Sequence, residues 1–141
     1  MNDSPAMPTD APKPEDVAMT SASDLRRLAD RCERGPISHE FEEAILVACG
    51  WQADNVALTT PDGHSVTRMK MPHPLASLDA AAGLIPAKFI WEVGTTYRDV
   101  AEAMVLNSSR EIAEWGEAKT PAAALAAAAL RARGAMLEDK P

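Results

Sequence analysis

Arg98-Asp-Val-Ala-Glu-Ala-Met-Val-Leu106, then Asn107-Ser-Ser-Arg110, then Glu111-Ile-Ala-Glu-Trp-Gly-Glu-Ala118 is the stretch on which the fold class turns. Read as a helix, it places Val100, Ala103 and Met104 on one face, and its alanine and glutamate content favours that state. Read as a hairpin, it has Val100–Leu106 and Ile112–Ala118 flanking a turn at Asn107–Arg110. Asn and Ser gather at such turns because their side chains bond the local backbone. Propensity alone does not separate the two readings.

The flanks are clearer. Downstream, Thr120 caps and Pro121 takes the first position of an alanine-rich helix that the pattern predicts to run to Arg133, before Gly134. Its small side chains allow close approach to a sheet. Upstream, Phe89, Trp91 and Val93 alternate with polar or small neighbours, which predicts a strand over 88–97 with one buried face. Leu75, Leu78, Ala81, Ala82 and Ile85 suggest a short helix that Pro86 ends. Val56–Thr59 and Ser65–Met69 are β-prone runs joined by Pro61-Asp-Gly63, a turn with a local mechanism.

Nearer the N-terminus, Ser21 and Asp24 form a capping-box signature. Leu25, Leu28, Ala29 and Cys32 then recur at helical spacing until Gly35-Pro36. Ser38 caps a second helix with Glu40, Glu42 and Glu43 near its positive end and a stripe of Phe41, Ala44, Ile45, Ala48 and Cys49. Gly50 supplies its left-handed stop. The two helices are expected to form a hairpin.

Of 141 residues, residues 1–22 read as a disordered, acidic, Pro-rich tail that can bury almost nothing. Residues 23–134 are enough for a single α+β domain, and 135–141 read as a flexible C-terminal tail. The formal net charge is −7, and no segment carries a strong basic excess. A duplex phosphate backbone is on balance repelled, so direct nucleic-acid binding is not expected. The start lacks a basic n-region and an apolar h-region, and no apolar run reaches spanning length, which predicts a cytoplasmic protein with no membrane association.

At this point the ordered residues carry a resemblance. Leu28-Ala-Asp-Arg-Cys-Glu-Arg34, Glu43-Ala-Ile-Leu-Val-Ala48, Gly50-Trp51, Ala76-Ser-Leu-Asp-Ala-Ala81, Ile85-Pro86, Trp91, Thr120-Pro-Ala-Ala-Ala-Leu125 and Ala129-Leu-Arg-Ala-Arg133 together resemble a family of small phage and prophage accessory proteins. The C-terminal part looks like the phage ABA sandwich domain, a short antiparallel sheet with helices packed on it. The resemblance implies that residues 98–118 are strands, and it brings no catalytic residues to carry over. The departure from the family is Asp99–Leu106, which is more helix-prone than a typical strand.

Catalytic and metal chemistry find little support in the spacing. Cys32 and Cys49 fall on apolar stripes, so buried free thiols are expected rather than a disulfide framework. Among Cys32, His39, Cys49, His64 and His73 there is no CxxC, HxxxH or HxH pair, so no metal site and no cofactor are expected. Cys49 lies near a helix C-terminus, where the dipole disfavours a thiolate. His64 and Ser65 are adjacent in a strand and point to opposite faces. Phosphate-cradling glycine loops and the G-x-S-x-G elbow are missing. The helix pair at residues 22–34 and 39–49 has a helix-turn-helix outline, but its second helix begins His39-Glu-Phe-Glu-Glu43, which phosphates repel.

What remains is an acidic surface. Glu92, Glu102, Glu111, Glu114, Trp115 and Glu117 are the candidate partner-binding residues. In a strand, Glu111, Ala113, Trp115 and Glu117 share one face and Glu114 takes the other. Trp115 is then a core anchor, the commoner outcome, or an interface hot spot. The expected function is non-enzymatic: an accessory protein that binds a host protein, most sharply a defence antagonist of the anti-CRISPR kind acting on a nucleic-acid-binding complex. The alternative is a structural or assembly component of a phage particle acting as a homo-oligomer.

Overall fold

Thr120 and Pro121 open the element around which the others are arranged. The structure, a computed structural model, describes residues 21–96 and 99–138. In chain order the elements are α1 (Ala22–Arg34), α2 (His39–Ala48), β1 (Gln52–Ala53), β2 (Ala57–Thr59), β3 (Ser65–Thr67), a 3-10 turn (Arg68–Lys70), α3 (Leu78–Ala82), β4 (Ile90–Thr95), β5 (Ala101–Leu106), β6 (Ile112–Ala118) and α4 (Pro121–Glu138). The strands form two antiparallel meanders, β1-β2-β3 and β4-β5-β6. The fold is α+β, as the sequence predicts.

Every residue from Ala122 to Leu130 is buried. A helix that is apolar all round belongs in the interior, and α1, α3, β5 and β6 pack about α4. Thr120 caps it, its Oγ1 accepting from the Ala123 N–H at 3.2 Å. The helix does not stop where the sequence places its end. Gly134 lies inside it, and a Cβ there would meet the Ala22 carbonyl oxygen at 3.4 Å and Leu25 Cβ at 3.7 Å. The glycine marks where α1 crosses α4, and the helix continues to Glu138. Residues 135–138 are therefore helical rather than part of a loose tail, and 139–141 lie outside the described residues. At the other end, Ala22 already belongs to α1, capped by Ser21 with both halves of the capping box in place. Residues 1–20 of the expected N-terminal tail lie outside the described residues.

The principal packing partner of α1 is α4, and α2 follows α1 across the turn at Gly35-Pro36. The α1–α4 contact is polar as well as apolar. Arg26, Asp30 and Glu33 recur at i, i+4 and i+7 on α1, where they lie on one face. Arg26 pairs with Glu138 at 2.5 Å, while Arg131 pairs with Asp30 at 2.8 Å and Glu33 at 2.7 Å. Numbers rise along α1 as they fall along α4, so the helices run antiparallel. Arg31 lies 4.2 Å over the Phe41 ring, tying the end of α1 to the start of α2.

Residues 101–106 and 112–118 are strands. Ala101, Ala103 and Val105 are buried, while Glu102 and Met104 between them are not. This period of two, set by the alanine face of α4, overrides the helical preference of the isolated segment. Gly116 allows the contact: a Cβ there would stand 2.4 Å from the Ala124 carbonyl oxygen and 3.0 Å from Ala127 Cβ. β4 is less buried than expected, with only Val93 half-buried and the rest of the strand exposed.

Three of the four hairpins, β2–β3, β4–β5 and β5–β6, repeat one turn. The amides of Thr60, Thr96 and Asn107 donate to the carbonyls of His64, Val100 and Glu111, and those of Gly63, Asp99 and Arg110 donate back to Thr60, Thr96 and Asn107. The same position has positive φ in each: 95° at Gly63, 61° at Asp99 and 63° at Arg110. A three-residue loop with a left-handed last residue matches the twist of the strands it joins.

Candidate functional site

The β4–β6 sheet has two unlike faces, set by its register. On the face turned to α4, the rows of cross-strand partners are Trp91–Val105–Glu114, Val93–Ala103–Gly116 and Thr95–Ala101–Ala118. On the other face they are Ile90–Leu106–Ile112, Glu92–Met104–Trp115 and Gly94–Glu102–Glu117. That second face grades from an aliphatic row through a mixed one to an acidic one. Among the described residues no element packs across it. Ile90 is 41% exposed, Ile112 58% and Trp115 56%.

Trp115 is thus not a core anchor. It stands on the open face beside Met104 and Glu92. A bulge explains why its neighbours differ from strict alternation: Leu106 pairs with Ile112 but Val105 with Glu114, so Ala113 is an inserted residue. Ile112, not Glu111 or Ala113, joins the face of Trp115 and Glu117. Glu111 sits at the hairpin tip, where Asn107 Oδ1 accepts its N–H at 3.0 Å, and does not join the patch. Glu114 takes the opposite face from Trp115, as expected, but that face is the one turned to the helices, and Glu114 lies close enough to Arg26 to help hold that guanidinium charged.

Of the six candidate residues, then, Glu92, Glu102, Trp115 and Glu117 share the open face. Glu102 and Glu117 are direct cross-strand partners, and like charges so placed repel. A cleft of about 430 Å³ adjoins them, lined by Arg26, Glu33, Glu102, Glu114, Trp115, Gly116, Glu117 and Arg131. The arginines in it are already engaged. Arg131 donates to Glu33 at 2.7 and 2.8 Å, to Asp30 at 2.8 Å and to the Trp115 carbonyl at 3.0 Å. Glu33 Oε2 in turn accepts the Glu117 N–H at 2.8 Å. The Arg131 hydrogen bond holds the Glu33 carboxyl below its ordinary range, with the Glu117 amide adding to it.

This ion pair closes the outer edge of β6: the backbone N–H of Glu117 and carbonyl of Trp115, which would otherwise await another strand, are taken by α1 and α4 side chains. β4 is the sheet's other edge, and among the described residues no strand pairs with it.

Cys32 and Cys49 are free and buried. Burial pushes the Cys32 thiol up to about 12 and Cys49 up to about 11, so both stay protonated near neutral pH and are poor nucleophiles. Among the described residues no helix is long and apolar enough to cross a membrane. No family model, curated protein or solved structure matches the chain.

The sequence reading missed one cluster. His39 and Glu42 share α2 one turn apart, and the fold brings His73 to them, with donor atoms of the three within 4.8 Å of one another. The expectation of no metal site rested on the spacing of Cys and His alone and left carboxylates uncounted. The available signal was Glu42 itself, which falls between Phe41 and Ile45 on the buried stripe of α2.

Proposed function

We propose that the protein acts by binding a protein partner through the open face of the β4–β6 sheet. One observation carries this reading: Trp115, 56% exposed, stands between an aliphatic row and an acidic row on a face that no described element covers. An exposed aromatic flanked by apolar contacts is the kind of residue on which binding energy concentrates. The carboxylates of Glu92, Glu102 and Glu117, in a chain of net charge −7, select a partner whose surface is basic and speed its approach. A basic nucleic-acid-binding surface is such a partner. The finer form of the proposal is therefore a phage-derived accessory protein that antagonises a host defence complex, which the family resemblance supports together with this charge pattern.

The test is affinity capture of the tagged chain from host lysate with nuclease present, run in parallel with Trp115→Ser and Glu117→Lys. Both positions are exposed, so the variants fold. A stoichiometric partner retained by the parent and lost by both variants supports the reading. A partner held equally by all three overturns the open face as the site. Glu114→Lys is a poor probe of binding, because Glu114 faces Arg26 on the helical side.

The second reading is self-assembly, and the unpaired edge of β4 favours it, since two copies could pair there antiparallel. Sedimentation across a hundredfold concentration range decides between them. The binding-face reading expects a sedimentation coefficient independent of concentration; a dimer abolished by Trp91→Lys would establish edge pairing.

A further inference from the structure

Glu42 is the one charged side chain buried among the described residues, 2% exposed. A carboxylate in the interior is costly unless its charge is matched. Among the described residues no arginine or lysine pairs with it. One oxygen accepts the Leu75 N–H at 3.1 Å, and the other lies 2.9 Å from His73 Nδ1. His39, one helical turn before Glu42, brings a second imidazole, its ring centre 5.1 Å from that of His73 and tilted by 43°.

The contact with His73 serves one carboxylate oxygen and gives His39 no part in matching the charge of Glu42. A divalent cation uses all three groups at once. Two imidazole nitrogens and one carboxylate oxygen are a donor set suited to Zn²⁺, which takes such ligands at about 2.0–2.2 Å and leaves a further position for water. From the structure, we propose that His39, Glu42 and His73 form a binding site for a divalent cation of the zinc class, with its open position on the exposed His39 side.

The surroundings suit ligands held in place. His73 lies between Pro72 and Pro74, and its carbonyl accepts the N–H groups of Ala76 at 2.9 Å and Ser77 at 2.7 Å. The Leu75 amide fixes the carboxylate oxygen that the imidazole does not contact, the outer-sphere support that metal-ligating carboxylates receive. His39 is exposed, so its rotation can draw the three donors from within 4.8 Å to the separation of about 3.4 Å that tetrahedral bonds at about 2.0–2.1 Å require. Such an ion would pin α2 to the turn that leads into α3.

The experiment uses the full chain stripped of metal by a chelator, titrated with Zn²⁺ by calorimetry and by thermal melting, and with Co²⁺ for its visible spectrum. The site predicts one equivalent bound, a higher melting midpoint, and the intense absorption of low-coordinate cobalt. His39→Ala removes an exposed ligand, so its melting midpoint without metal should match the parent while its Zn²⁺ affinity falls at least tenfold. His73→Ala should lose binding as well. No zinc-dependent change in the parent, or parental affinity in His39→Ala, overturns the proposal; the second outcome would place the ion on other residues, such as His64 with Asp62.

Discussion

Arg110 occupies a backbone conformation that suits glycine. Its φ of 63° matches the position held by Gly63 in the β2–β3 hairpin, and the side chain is exposed. Left-handed geometry costs an L-residue about 1–2 kcal/mol, whereas glycine loses about 0.5–1 kcal/mol more chain entropy on folding. Arg110→Gly should therefore stabilise the protein by about 0.5–1 kcal/mol, raising the melting midpoint by about 2–4 °C. A lower midpoint would mean that the arginine contributes something the turn geometry does not show. The β2–β3 hairpin was legible because Pro61-Asp-Gly63 announces its turn. The other two with this turn were harder to read, since Asp99 and Arg110 fill the same position without the glycine that marks it.

At the scale of elements, two glycines at contacts between elements should respond oppositely to the same substitution. In Gly116→Ala the new methyl meets the Ala124 carbonyl oxygen at 2.4 Å, and helix backbone cannot swing aside. The β6–α4 contact must open, at a cost of about 2–3 kcal/mol. In Gly134→Ala the nearest atom is 3.4 Å away, an ordinary contact, so the variant should gain the helical preference of alanine, about 0.5–1 kcal/mol. Urea unfolding of both variants checks the pair, and a stabilised Gly116→Ala would contradict the packing described. These glycines also show why the elements were only partly legible. Caps at Ser21, Ser38 and Thr120 are local chemistry and could be read directly. Whether Gly134 ends a helix or lies at a crossing, and whether residues 101–106 are helix or strand, depends on what packs against them. The crossing of α1 decides the first and the alanine face of α4 the second, and no window of local sequence contains either.

At the scale of the molecule, one ion pair joins three elements far apart in sequence. Glu33 on α1 holds Arg131 on α4, and both satisfy the edge of β6. The network could not be read from composition because Glu33 and Arg131 look like ordinary surface charges until the helices are paired. The same limit applied to the candidate site: the acidic residues were recognisable, but the bulge at Ala113 and the α4-facing orientation of Glu114 decided which of them share a face with Trp115. The linkage gives the network a pH signature. The folded state holds the Glu33 carboxyl below its ordinary range, so its contribution is fully present above the unfolded value of about 4.3 and is lost as pH falls through the lower folded value. Glu33→Gln keeps an acceptor for the Glu117 amide but removes the charge facing Arg131. Partly exposed and screened, that charge should be worth about 1–2 kcal/mol at pH 7. Unfolding free energies from urea titrations should show this gap at pH 7 and a progressively smaller one from pH 5 to pH 3, where the parent protonates Glu33 and comes to resemble the variant. A gap that stayed constant across that range would show that the stability lies in shape and hydrogen bonding rather than in the charge, and the edge of β6 would then be closed by geometry alone.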